Sequence, residues 1–190
     1  MPKALPKEYL APDDWIKAGF RALAETGPAS VQINQLAKSL GATKGSFYWH
    51  FKGFKDLKAS MLRLWRQKVV EEVQADISAV PPGVERLALL VRRAAQGPDT
   101  EFGGRRIDTA MRAWALADSE VAAALSEIDR ARLAMVQDVL ASIGLRDPDL
   151  APLVYGCYLG VDDLVARGAV ENPYPLSKLH DLLVAMAPVK

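Results

Sequence analysis

The stretch Ile33-Asn-Gln-Leu-Ala-Lys-Ser-Leu-Gly-Ala-Thr-Lys-Gly-Ser-Phe-Tyr-Trp-His-Phe51 decides the fold. Its first half reads as a short helix, about Ile33 to Leu40, and Gly41 closes it. Ala37 lies four residues before Gly41 and supplies the small side chain that two steeply crossing helices need. Gly41 tolerates the positive φ of a tight turn. Thr43 can cap a second helix, and Phe47, six residues after Gly41, can return to a core shared with Leu36 and Leu40. This is the spacing of a helix-turn-helix. Phe47, Tyr48, Trp49 and Phe51 are too many aromatics for one buried stripe, so the second helix must present some of them outward.

The polar residues of that helix suit a polyanion. A helix N-terminus favours anions, and Lys44 adds a charge there. Gly45 and Ser46 are small enough for close approach to a groove. Tyr48 and His50 carry polar tips fit for phosphate contacts. Trp49 suits either a thymine methyl or sugar edge, or packing within the head. Phe47 and Phe51 read as core.

"LAKSLGATKGSFYWHF" (Leu36–Phe51) resembles the DNA-binding signature of TetR-type transcriptional repressors, which runs L-A-x-x-L-G-V-T-x-G-S-F-Y-W-H-F or a close variant, followed by Lys or Arg three residues after the Phe. With its flanking helices the resemblance covers roughly residues 12–62. It implies a homodimer with one three-helix DNA-binding head per subunit and a helical C-terminal part that binds a small-molecule effector and releases DNA. Carried over by position, Thr43, Lys44, Gly45, Ser46, Tyr48, Trp49 and His50 fall in the recognition region. Three departures stand out. Ala42 replaces the usual Val. Gln32 sits where a capping Thr or Ser is common; it can still donate to a phosphate but caps less well. Phe54 stands where the basic residue belongs, so Lys52 or Lys55 would have to take that phosphate contact from a neighbouring position.

Working outward, strand signals are nearly absent and period-3.6 patterns dominate, so the chain reads as all-α. A first helix opens at Pro12-Asp13-Asp14, with Ile16, Phe20, Leu23 and Ala24 on its apolar face. After Gly53 a long helix runs to about Ala79, with Leu57, Met61, Leu64, Trp65, Val69 and Val73 on one face, until Pro81-Pro82-Gly83 stops it. Further helices are expected at about 84–95, 104–117, 119–143, 148–167 and 175–186, making nine. The division expected is a DNA-binding head over residues 10–60 and an effector-binding and dimerisation body over residues 61–190, joined through a continuous helix.

Charge follows the same division. Residues 1–65 hold ten Lys and Arg against five Asp and Glu, whereas the remainder carries 14 against 18. A basic first third on an acidic remainder suits an N-terminal module that faces a polyanion. Half of the chain is hydrophobic, which supports a packed core.

In the acidic part, helix 148–167 is apolar on most sides and must be buried on most sides. With helix 175–186 it forms the expected dimer interface, a four-helix bundle across a two-fold axis; the alternative is a monomer built round one central helix. Phe102, Met111, Trp114, Arg132, Met135, Tyr155 and Tyr158 are the residues expected to line an effector pocket, though each also suits plain core. Arg132 interrupts the stripe Val121, Leu125, Ile128, Met135 and Val139, so it must be paired or functional; Asp129, Asp162 and Asp163 are the partners in view. Arg105, Arg106 and Arg112 read as a solvated face, and Cys157, the sole cysteine, as a small buried group.

No catalytic motif is present, and His50 and His180 are far apart, so neither an enzyme, a metal site nor a cofactor is expected. No signal peptide is visible. The uncharged run Leu150–Val161 is well short of the roughly 20 residues a membrane helix needs. A cytoplasmic regulator of double-stranded DNA is the resulting expectation. The other class is a helical dimeric interaction protein with a degenerate DNA-binding head.

Overall fold

The structure, a computed structural model, describes residues 10–171 and 174–188. Helix α1 (Pro12–Thr26) starts with Pro12 in its first turn, and the Asp14 carboxylate accepts from the Ala11 amide at 2.7 Å. A 3₁₀ turn (Pro28–Ser30) leads into α2 (Ile33–Ser39), then α3 (Lys44–Tyr48). The long rod that follows comprises α4 (Phe54–Arg66), a π-helical turn (Gln67–Glu71) and α5 (Glu72–Ser78). The body adds α6 (Val84–Gln96), α7 (Arg106–Ala115), α8 (Ser119–Ser142), α9 (Leu150–Ala166) and α10 (Tyr174–Met186). Among the described residues there is no strand. The nine expected helices are all present, the rod counted as one.

Two hydrophobic clusters hold these helices together. The larger joins α1–α4 to α7 and the first half of α8: Trp15, Phe20, Leu36, Phe47, Leu57 and Met61 pack in one cluster with Ile107, Met111 and Trp114. Trp15 is fully buried and meets Phe47 edge-on at 5.2 Å between ring centroids. The smaller cluster gathers Ile77, Leu87, Met135, Val139 and Leu183 from α5, α6, α8 and α10.

The π turn inserts one extra residue per hydrogen-bonded ring into the rod. It contains no Pro or Gly, so no sequence punctuation announces it. It stands where the rod passes from the first cluster to the second, and Val69 and Val70 are buried within it.

A candidate DNA-reading head and an internal cavity

The turn between α2 and α3 is built by backbone geometry. Gly41 has φ 61, and its amide donates to the Lys38 carbonyl at 3.2 Å. The Ala42 amide donates to the Ala37 carbonyl at 2.8 Å. This pair of bonds is a Schellman motif, which satisfies the last carbonyls of α2 and turns the chain sharply. Ala37 is buried at the crossing. Thr43 then caps α3, its hydroxyl oxygen accepting from the Ser46 amide at 3.3 Å. That leaves the Thr43 hydroxyl proton available to another acceptor.

Burial sorts the four aromatics. Phe47 and Phe51 are buried and stack at 5.3 Å. Tyr48 is 57% exposed and Trp49 is 87% exposed. Thr43, Lys44, Gly45 and His50 are exposed, and Ser46 is half-buried. A large indole left in solvent costs apolar hydration, and Trp49 has no packing role among the described residues.

The flanking positions differ from one another. Gln32 occupies the cap position of α2 without capping it; its amide nitrogen donates to the Ala29 carbonyl at 2.9 Å. Lys52 is exposed, and its backbone amide donates to the Asp56 carboxylate at 3.0 Å. Lys55 pairs with Glu120 at 3.4 Å. Lys58 is buried between Asp118 (2.6 Å) and Glu120 (2.9 Å), so it is not a solvated charge. Burial works against the Lys58 charge, but hydrogen bonds to Asp118 and Glu120 outweigh it and raise its pKa. The Lys58 hydrogen bond holds the Asp118 carboxyl below the usual carboxylate range. Phe54 lies against Trp114, ring centroids 6.4 Å apart. The position where a basic residue is usual is therefore occupied by a packing contact between α4 and α7.

A cavity of about 340 Å³ lies within the body, beside the rod. Leu64, Trp65, Lys68, Val69 and Val73 of the rod border it, with Leu87 and Leu90 of α6, Phe102, Met135, Val154 and Leu179. Five expected pocket residues border it: Phe102, Arg132, Met135, Tyr155 and Tyr158. Met111 and Trp114 do not. Both are buried in the larger cluster, because α7 turns that face toward α1 and α4. The α6 wall, Leu87 and Leu90, is not among the expected pocket residues.

Arg132 is buried at one end of the cavity. Its partner is Asp108 on α7, not Asp129, Asp162 or Asp163: Nη1 donates to Oδ2 at 2.9 Å and Nη2 to Oδ1 at 3.4 Å. Arg132 also donates to the Tyr155 hydroxyl (3.2 Å) and to the Val69 carbonyl of the π turn (3.5 Å). Tyr158 donates to Asp108 at 3.2 Å, and Tyr155 to Asp129 at 2.7 Å. Burial opposes the Arg132 charge, yet Asp108 raises its pKa above the ordinary value. Burial pushes the Tyr155 hydroxyl up to about 12 and Tyr158 well above its usual range.

Two further arginines are engaged, not solvated. Arg112 forks onto Asp129 at 2.7 and 3.0 Å, and Arg105 meets the buried Asp162 at 2.9 Å. Burial raises the Asp162 pKa despite that pairing.

On the far side of the body, α9 and α10 leave apolar side chains in solvent. Leu153 is 64% exposed and Leu182 is 56% exposed, and Leu164 and Met186 are also exposed. Cys157 is exposed on α9, not buried, because the helix turns that side away from its own core. Among the described residues no cluster of His, Cys, Asp and Glu is able to hold a metal, and no helix is long and apolar enough to cross a membrane.

Residues 16–59 match the family described as "Bacterial regulatory proteins, tetR family". The transcriptional regulator AcuR of Cereibacter sphaeroides is 29% identical over 99 residues, which span 50% of this chain and 44% of that protein. The chain thus aligns with less than half the length of the curated relatives it matches. Among solved structures, the fatty acid degradation regulator FadR from Bacillus halodurans superposes with a TM-score of 0.70 at 20% identity, over the whole of both chains. FadR from Bacillus subtilis, solved with stearoyl-CoA, gives 0.69 at 20% identity, over 90% of this chain and 96% of that one. At these identities the superpositions establish the fold.

Proposed function

Because this chain belongs to the TetR family of transcriptional regulators, we propose that it is a homodimeric repressor that a small-molecule effector releases from its operator. Residues 10–60 act as the head, and residues 61–190 bind the effector and the second subunit. The single observation that carries the reading is the outward face of α3, where Tyr48 and Trp49 stand in solvent beside Lys44 and a capped N-terminus while Phe47 and Phe51 anchor the helix. Such a face has no use inside the chain and matches a groove with its phosphates.

Lys44 and the α3 N-terminus attract phosphate, Tyr48 and His50 donate to it, and Trp49 meets the groove. A head that has lost DNA binding is the less favoured reading. The departures at Gln32 and Phe54 that keep it open lie outside α3, whose outward residues are retained, and Phe54 packs against Trp114. The dimer forms through the exposed apolar face of α9 and α10. The cavity receives the effector, and its bordering rod carries the head. A ligand that prefers one rod position shifts the separation of the two α3 helices, and only unequal affinity for the two arrangements drives the switch.

Selection of bound DNA from a random pool tests this reading. Two half-sites about 34 Å apart, bound with strong salt dependence, are expected. Tyr48→Phe should weaken binding by about 1 kcal/mol through the lost phosphate bond. Absence of any salt-dependent enrichment would refute it.

A further inference from the structure

Resting on the reading of the cavity as the effector site, we propose that Phe102 is the positioning residue that joins this cavity to the DNA-binding head, so that an effector acts on α1 as well as on the rod. Phe102 ends a 3₁₀ turn (Thr100–Phe102) between α6 and α7, is half-buried, and borders the cavity.

The head and the rod both meet its ring. Phe20 of α1 packs on it edge-on, with ring centroids 6.0 Å apart, and Phe20 itself borders the cavity. Lys17 of α1 stands over the ring at 5.8 Å and Lys68 of the π turn at 5.5 Å. Lys17 also pairs with Glu101 of the same 3₁₀ turn at 2.6 Å. One wall residue of the cavity is thus shared by the first helix of the head and the irregular segment of the rod.

The turn is stiff and seated without slack. Asp99 Oδ1 accepts from the Glu101 amide at 3.1 Å, and the Asp99 carbonyl accepts from the amides of Phe102 (3.0 Å) and Gly104 (3.1 Å). Gly103 has φ 89, and a Cβ there would lie 2.9 Å from the Ala24 Cβ and 3.2 Å from the Phe20 carbonyl oxygen, both on α1. Close-packed contacts transmit displacement, because a gap of even a fraction of an ångström forfeits attraction. A ligand that pushes Phe102 therefore moves α1 or strips it of support. Further along α1, Trp15 meets Phe47 of α3 edge-on at 5.2 Å, so a shift of α1 reaches the recognition helix through packed rings.

The test is hydrogen–deuterium exchange of the full chain, free and bound to an operator duplex selected from a random pool. Coupling between sites is reciprocal, so DNA serves as the ligand and no effector is needed. In the free chain, Phe102→Ala should speed exchange of the α1 and α3 amides about tenfold and leave α10 within about twofold of the parent. Leu179→Ala, which truncates the cavity wall on α10, should do the reverse. Phe102→Leu, which keeps bulk against Phe20, should restore most of the parent's protection. Operator binding should slow exchange at the amides of the turn about tenfold in the parent and less than about twofold in Phe102→Ala, a difference that a merely structural role would not produce. The proposal is overturned if Phe102→Ala leaves α1 and α3 unchanged, if Leu179→Ala loosens the head as much, or if operator binding slows the turn equally in parent and variant or not at all in the parent. The effector reading is decided separately, by whether any ligand of the cavity changes operator affinity; its failure leaves the joint at Phe102 standing.

Discussion

The Asp108–Arg132 pair makes a quantitative test of how the body is held. Its side chains are 5% and 10% exposed, and it ties α7 to α8 while Tyr158 of α9 donates to the same carboxylate. Asp108→Ala removes the counter-charge but leaves the guanidinium buried. Breaking a buried pair in this way costs about 3–5 kcal/mol, and the orphaned Tyr158 hydroxyl adds to the upper part of that range. For a chain of this size each kcal/mol shifts Tm by roughly 2–4 °C, so a fall of about 6–20 °C is expected in thermal unfolding followed by circular dichroism. The double variant Asp108→Leu with Arg132→Met removes both charges at similar volume and should recover most of that loss, the still-orphaned Tyr158 hydroxyl keeping it about 1–2 kcal/mol below the parent. Arg112→Ala provides the scale. Its pair with Asp129 is about one-third exposed, so a loss of about 1 kcal/mol is expected. A drop below about 3 °C for Asp108→Ala, or a double variant no better than the single, would refute the assignment of Arg132 as a buried charge dependent on Asp108.

Three further outcomes are expected. Lys44→Gln should reduce the slope of log affinity against log salt by about 0.9, one phosphate contact, while Lys55→Gln should leave it unchanged because Glu120 already holds that ammonium; equal slopes for both variants would contradict the division. The Asp118 carboxyl has a depressed pKa in the folded chain, so its contribution to stability is present above about pH 4 and is lost as pH falls through the folded value. Urea midpoints between pH 5 and 2 should therefore fall less steeply for Lys58→Met than for the parent. Leu153→Glu with Leu182→Glu should convert the dimer to a monomer in sedimentation, since both side chains lie on the exposed apolar face; an unchanged sedimentation coefficient would remove α9 and α10 from the interface.

Helix positions were legible because the signals are local. Gly41, Gly53, Pro81-Pro82-Gly83 and Gly144 punctuate a 3.6-residue period, and each falls at a helix boundary. The head was legible as a motif because its turn depends on the identity of one glycine and one small residue. Pairings between distant positions were not. Arg132 was marked as a charge in an apolar stripe, but only tertiary packing brings Asp108, 24 residues earlier in the chain, to its side. Met111 and Trp114 have the same composition signal as a pocket wall, and the direction of α7 assigns them to the core. Trp15 sits beside the stripe Ile16, Phe20 and Leu23 and was passed over, although it is fully buried against Phe47. The π turn has no residue signature at all.

The departure at Phe54 acquires a physical meaning once the joint is considered as a unit. Phe54, Lys55 and Lys58 occupy the first two turns of α4, and all three contact the end of α7 or the start of α8, through Trp114, Asp118 and Glu120. Phe54 and Lys58 at that end of the rod are engaged by the body, and the proposed DNA contacts on α3 and its N-terminus lie apart from them. The cavity meets the same rod from Leu64 to Val73, and Leu64 is ten residues, about 15 Å of helix, from Phe54. A ligand at the cavity therefore acts on a rod clamped at its far end to α7 and α8. It cannot move the head by bending a free lever. It must either carry the α7–α8 junction with it or shift the rod at the π turn, where Arg132 reaches the Val69 carbonyl and the helical hydrogen bonding is already irregular. The second route leaves the Lys58–Asp118 and Arg132–Asp108 pairs intact and disturbs only the 3.5 Å contact to the Val69 carbonyl.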